Sequence, residues 1–400
     1  MHRINRRGFL HRSLYLAAGA LLPGYQAVSA STAPIAPQTS APVHANAPRL
    51  APFASAALQP VPTDVSLATK IGQMIMVGFG GRVLSMDDAI VQQVAAGTVG
   101  SVVLFSHNVR TPEQLRALTS TLHEHSPLPL LVAIDQEGGW VTNLPASFGI
   151  ATNHSAQFLG AGNDLELTRL QGDSTAQRLA ELGINLNLAP VVDLNTNPNN
   201  PIIGRYERSY SADPALVTDH ARTVIESHRP HKVLCTLKHF PGHGSSESDT
   251  HAGFVDVTDT WNVTELAPYA SLIGQHSCDA IMTAHIFNAT LDPRHPATLS
   301  HAVLTGLLRE KLGYWGVIIS DDMQMGAIAN QYNLETAIRL AIEAGVDIIS
   351  FSNNLPFSRT ASGNRLHDII LNLVHSGAIS ETRIHESYER IMLLKQKLVG

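Results

Sequence analysis

The fold is decided by the stretch Val233-Leu234-Cys235-Thr236-Leu237-Lys238-His239-Phe240-Pro241-Gly242-His243-Gly244. Its first five residues form an apolar run, which reads as a buried strand. Pro241, Gly242 and Gly244 stop that run and open a loop, which continues to Asp249-Thr250-His251. Lys238 and His239 therefore fall at the carboxyl end of a strand, and Asp249 and His251 on the loop beyond it. In parallel α/β folds the carboxyl ends of strands are where chemistry is done. The breaks predict two fixed functional groups, Lys238 and His239, and two mobile ones, Asp249 and His251.

Outward from this stretch, the body of the chain begins near Val65 and alternates apolar strand segments with helical patterns. Eight segments read as strands: 73–79, 99–105, 128–135, 184–189, 233–239, 280–285, 316–321 and 347–351. Between them, segments such as 112–123, 165–182, 214–228 and 334–344 repeat apolar residues three or four apart, the spacing of a helix with one buried face. Eight strand–helix alternations predict a single (β/α)8 barrel of the TIM type. A doubly wound open sheet is the alternative. A final helix over 380–397, with Ile384, Tyr388, Ile391 and Leu394 in register, closes the ring. The expected organisation is one catalytic domain over 65–400 with no second domain.

Composition narrows the function. With 27 basic and 33 acidic residues and no Lys/Arg run, the chain offers nothing to nucleic acid. Two cysteines, Cys235 and Cys278, are too few for a disulfide framework and read as buried thiols. Arg6-Arg7 precedes the weak apolar run from Leu14 to Leu22, and Val28-Ser29-Ala30 resembles a cleavage site. Residues 1–30 thus read as a twin-arginine signal peptide and 31–64, rich in Ala, Pro and Ser, as a tether. The apolar run is too short to span a bilayer. The expected location is the periplasm, with no membrane insertion after processing and a monomeric chain.

A barrel demands that its polar anomalies fall at strand ends, and the sequence meets that demand. Segment three ends in Asp135-Gln136-Glu137-Gly138-Gly139, segment five in Lys238-His239, segment six in His285 and segment seven in Asp321-Asp322. Asp321 shares strand parity with Val317 and Ile319, which fits an inward-pointing carboxylate. One acid of the pair fits a cap before Met323. Asp249, His239, His243, His251 and His285 allow two chemistries. They could be ligands of a metal-dependent barrel hydrolase, although their spacing matches no compact zinc motif. Alternatively, Asp249 orients His251 and raises its pKa for acid/base work.

Lys238-His239-Phe240-Pro241-Gly242-His243-Gly244 with Asp249-Thr250-His251 resembles the signature of glycoside hydrolase family 3 β-N-acetylhexosaminidases of the peptidoglycan-processing kind. The likeness runs from about Val65 to the end of the chain. It includes Ile71-Gly72-Gln73-Met74, Asp135-Gln136-Glu137-Gly138-Gly139, Ala189-Pro190-Val191-Val192-Asp193, Glu207-Arg208-Ser209-Tyr210, Met282-Thr283-Ala284-His285, Ser320-Asp321-Asp322-Met323 and Ala344-Gly345-Val346-Asp347. The resemblance implies a single barrel that uses neither metal nor cofactor. Its implied activity is removal of terminal N-acetylglucosamine from β-linked sugars such as muropeptides. It also implies roles: Asp321 as nucleophile, His251 as general acid/base paired with Asp249, and Asp135, Arg208, Lys238 and His239 as holders of the sugar. Two positions depart from the family pattern, where Trp140 and Asn143 replace expected arginines. Trp140 either stacks on a sugar ring or packs under the adjoining helix. The competing readings are a family 3 β-glucosidase, a metal-dependent barrel hydrolase and an idle peptidoglycan-binding protein.

Overall fold

A computed structural model of the chain describes residues 65–150, 152–355 and 360–398. The expected signal peptide and tether lie outside the described residues. Eight strands form the parallel sheet: β1 (Ile75–Gly78), β2 (Ser101–Leu104), β3 (Leu131–Ile134), β4 (Leu186–Asn187), β5 (Leu234–Phe240), β6 (Ala280–Thr283), β7 (Val317–Ile319) and β8 (Ile349–Phe351). From β1 to β7 each pairs with the next, and β8 pairs with β1. The β7–β8 seam is held by a bridge between Ile319 and Ile348 and by Ser320 N–H donating to Ile348 O at 2.9 Å. The sheet is thus a (β/α)8 barrel, and every strand lies within its expected segment except for Phe240, one residue beyond.

The strands are apolar along their whole length because helices cover one face and the barrel interior the other. Val317, Ile318 and Ile319 are each at most 1% exposed, and burying such a side chain contributes about 1.5–3 kcal/mol. The covering helices start where the sequence caps them. Asp213 accepts from Ala215 N–H ahead of Pro214–His228, and Asn333 accepts from Thr336 N–H ahead of Leu334–Ala344. Leu165–Glu181 packs against Pro214–His228, and Glu381–Gln396 closes against Leu67–Gln73.

Three local differences from the expected elements matter. Gln73 belongs to the helix Leu67–Gln73 rather than to the first strand. After β3, Gln136–Gly138 and Val141–Thr142 form a short antiparallel hairpin that the apolar periodicity could not reveal. Finally, the loop after β5 is buried, not loose, over 242–246. Gly244 lies so close to Leu194 that an added Cβ would sit 1.7 Å from Leu194 O.

Opposite the carboxyl ends of the strands, the barrel is closed by buried charge. Asp347 accepts from Arg309, Ser387 and Arg390, at 2.8, 2.8 and 3.2 Å. Lys395 Nζ, fully buried, donates to Gln73 Oε1 at 2.6 Å and to Gly100 O at 2.8 Å.

Candidate active site

At the carboxyl ends of the strands a cavity of about 330 Å³ brings together Asp135, Arg208, Lys238, His239, His251 and Asp321. Asp249 stands behind His251. Each arrives for a local reason. Asp135 directly follows β3 and Asp321 comes two residues after β7, whereas Lys238 and His239 are part of β5. Arg208 comes from the long segment between β4 and Pro214–His228.

The two adjacent acids after β7 do different things. Asp322 accepts from Gln324 N–H at 3.0 Å, from Ser352 N–H at 3.1 Å and from the Ser352 hydroxyl. It caps the turn, and its burial raises its pKa. Asp321 accepts only from Asp322 N–H, through Oδ1 at 2.8 Å, among the bonds described. Its other oxygen is left to the cavity. Burial works to raise the Asp321 carboxyl, but His285, His239 and His251 together outweigh it and hold the pKa near about 2. Asp321 is therefore an ionised, undercoordinated carboxylate.

Four charges form the floor beside it. Glu137 accepts Arg208 through both oxygens, at 2.7 and 2.8 Å, and Lys238 Nζ at 2.7 Å. Lys238 also reaches Asp135 Oδ1 at 2.5 Å. Burial would raise Glu137, yet the two cations bring it to about 2. Burial would likewise lower Lys238, and Asp135 and Glu137 raise it instead. Glu137, Lys238 and Arg208 are thus held in their charged forms. Next to them, Asp193 is fully buried and accepts from His239 N–H (3.1 Å), His239 Nδ1 (2.7 Å) and His243 N–H (2.8 Å).

His251 donates Nδ1–H to Asp249 Oδ1 at 2.7 Å, which leaves Nε2 as the nitrogen able to carry a proton to the cavity. The Asp249 bond is the main reason that the His251 pKa is raised; burial opposes it and Asp321 adds to it. The expected mobile loop is pinned on both sides of this pair. His243 uses Nδ1 on Ser246 Oγ at 2.7 Å and Nε2 on Thr250 Oγ1 at 3.3 Å. Beyond, Gly326 N–H and Ala327 N–H donate to His251 O and Thr250 O at 3.1 and 3.0 Å. A Cβ at Gly326 would come within 2.8 Å of His251 O, so only glycine permits this approach.

The histidines do not converge as ligands. His239 gives Nδ1 to Asp193, while His243 is spent on Ser246 and Thr250, and His285 on Thr298 and Asp322 O. Among the described residues no three His, Cys, Asp or Glu side chains are grouped to hold a metal.

Residues 66–394 match the family described as Glycosyl hydrolase family 3 N terminal domain. The chain belongs to this family. It is 33% identical over 330 residues to Beta-hexosaminidase A of Pseudoalteromonas piscicida, covering 75% of this chain and 54% of that protein. A Beta-hexosaminidase of Alkalilimnicola ehrlichii is 34% identical over 293 residues, 70% of this chain and 80% of its own length. Among solved structures, a family 3 β-N-acetylglucosaminidase from Paenibacillus sp. str. FPU-7 superposes with a TM-score of 0.77 at 36% identity, over 84% of this chain and 63% of that one. A β-N-acetylhexosaminidase from Beutenbergia cavernae superposes with a TM-score of 0.75 at 27% identity, over 84% and 99%. The chain thus spans about half to four fifths of the length of these first relatives.

Sequence reading singled out the residues that face the cavity but not those that hold them. Glu137 and Asp193 were given no role from the sequence, although an acid within an otherwise apolar run was the available signal for Asp193. The two departures resolve differently. Asn143 bridges loops, donating to Asp135 O at 2.8 Å and accepting from Ser106 N–H at 3.0 Å. Trp140 is 70% exposed, so it does not pack under a helix. Cys235 and Cys278 are free thiols. No helix among the described residues is long and apolar enough to cross a membrane.

Proposed function

We propose that the chain is a retaining, exo-acting β-N-acetylhexosaminidase that releases terminal, non-reducing N-acetylglucosamine from β-linked glycans, peptidoglycan fragments among them. The observation that carries this reading is one cavity faced by an ionised carboxylate with a free oxygen, Asp321, and a protonatable imidazole backed by an acid, His251 with Asp249. The names of the relatives support the choice of sugar.

The chemistry follows from those two groups. A retaining glycosidase needs a nucleophile and, on the other side of the bond, an acid that later serves as base. Asp321 attacks the anomeric carbon as the bond to the leaving oxygen breaks, and that oxygen takes the proton from His251 Nε2. Water then attacks the glycosyl ester, His251 takes the water's proton, and the Asp321 carboxylate is released. A neutral imidazole can approach the ester without the repulsion that a second carboxylate would meet. Asp135, Arg208, Lys238 and His239 hold the sugar hydroxyls, Arg208 and Lys238 through charge-assisted bonds, with Glu137 and Asp193 keeping the cations and His239 in position. We place the working enzyme in the periplasm, exported by the twin-arginine route; replacing Arg6 and Arg7 by Lys should retain the precursor in the cytoplasm.

The test is hydrolysis of a p-nitrophenyl N-acetyl-β-glucosaminide and of the matching glucoside, with and without a chelator. Preference for the N-acetyl sugar, unaffected by chelator, is expected. Preference for the glucoside would make the protein a β-glucosidase, and loss of activity with chelator would make it a metal-dependent hydrolase.

A further inference from the structure

The cavity of about 330 Å³ lies at the small end of ligand pockets, which run from about 300 to 1,000 Å³. It holds one sugar residue, so the rest of any chain must leave across the rim. The rim is unusual in what it exposes. Trp140 is 70% exposed, Phe158 54% and Tyr206 49%.

The segments that carry these three rings are tied to one another. Gly139 N–H donates to Asn153 O at 3.1 Å, which ties the Trp140 hairpin to the segment before the helix Ala156–Gly162. The His154 ring stacks on Phe158 with centroids 4.3 Å apart. Gln157 N–H donates to Glu207 O at 3.1 Å, which ties that helix to the residue after Tyr206. Two of these segments also reach the cavity: Glu137 and Val141, on either side of Trp140 in the chain, line it, as do Ile202 and Arg208 on either side of Tyr206. Among the described residues two further large aromatics are exposed: Trp315, which precedes β7 at the opposite end of the barrel, and Phe254, three residues past His251.

The backbone under Trp140 is fixed. A Cβ on Gly138 would lie 2.5 Å from His154 O, and one on Gly139 would lie 2.7 Å from Ser155 Cβ. The ring is therefore presented on a hairpin whose backbone packs closely against residues 154 and 155. Soluble monomers seldom leave contiguous apolar surface exposed without a use. Flat rings set around a sugar cavity suit the CH faces of pyranose rings.

We infer that Trp140, Phe158 and Tyr206 form a platform for the sugar units beyond the cleaved bond, making the enzyme select β-linked N-acetylglucosamine oligomers over short substrates. This rests on the glycosidase reading above. The test compares kcat/KM on β-1,4-linked N-acetylglucosamine oligomers of two to five units with that on the aryl N-acetyl-β-glucosaminide. In the unaltered enzyme kcat/KM should climb with length. Trp140→Ala and Tyr206→Ala should each lower it on the pentamer by roughly twofold to tenfold, with the aryl substrate unchanged and Trp140→Phe retaining most of the gain. A kcat/KM independent of length, or equal losses on aryl and oligomeric substrates, would overturn the platform while leaving the glycosidase standing. Absence of any aryl hydrolysis would instead overturn the glycosidase reading itself.

Discussion

Replacing Glu137 by Gln separates the residues that build the site from those that touch the sugar. The side chain is 6% exposed and accepts three charge-assisted bonds, two from Arg208 and one from Lys238. After the substitution Lys238 keeps its pair with Asp135, while Arg208 loses its ion pair. Removing one partner of a buried ion pair costs about 3–5 kcal/mol. Glutamine keeps one accepting oxygen and nearly the same shape, so the low end, about 3 kcal/mol, is expected. With an unfolding entropy near 2.1 cal/mol/K per residue over roughly 330 residues, that corresponds to a fall in Tm of about 4 °C. Asp135→Asn should differ. Asp135 makes one ion pair, to Lys238, is 24% exposed, and leaves Lys238 its bond to Glu137. Its Tm should drop by no more than about 1 °C, while KM for the aryl substrate rises. Thermal unfolding followed by circular dichroism, alongside steady-state kinetics, reads both. If Glu137→Gln kept its Tm and lost only KM, Glu137 would be a sugar ligand and not a scaffold.

Other consequences are as direct. His251→Ala should reduce hydrolysis of a disaccharide by about 10² to 10⁴ and that of an aryl glycoside with a good leaving group much less; equal losses would remove His251 from acid/base duty. Activity should fall as pH rises through the raised His251 pKa, and Asp249→Asn, which removes the main cause of that rise, should move this alkaline limb to lower pH. An unmoved limb would refute the pairing. Burial brings Lys395 down to about 7, against about 10.4 when unfolded. Between those values the unfolded chain binds more protons, so stability should rise with pH across that window. Urea midpoints at pH 6.5 and 10 should show this gain in the unaltered protein and a smaller one in Lys395→Met; identical gains would contradict it.

The barrel was legible because its strands are buried on both faces, so runs such as Val317-Ile318-Ile319 announce themselves. The cavity groups were legible because a charge ending such a run has few other reasons to be there. What failed was inference about partners. Glycines after β5 suggested freedom, whereas Gly244 and Gly326 exist to let backbone approach backbone, and they hold the His251 loop still. Likewise, nothing local in Asp-Asp distinguishes Asp321 from Asp322; the difference arises from Ser352, thirty residues away, which occupies one acid and leaves the other to the cavity.

The central claim is that Asp321 becomes covalently bonded to the sugar. Incubation with a slow, fluorinated N-acetylglucosaminide, followed by proteolysis and mass spectrometry, tests it directly. The account predicts one added glycosyl group on the peptide containing Ser320-Asp321-Asp322, located on Asp321, and none in Asp321→Asn. Label on Asp322, or full turnover by Asp321→Asn without any label, would contradict it.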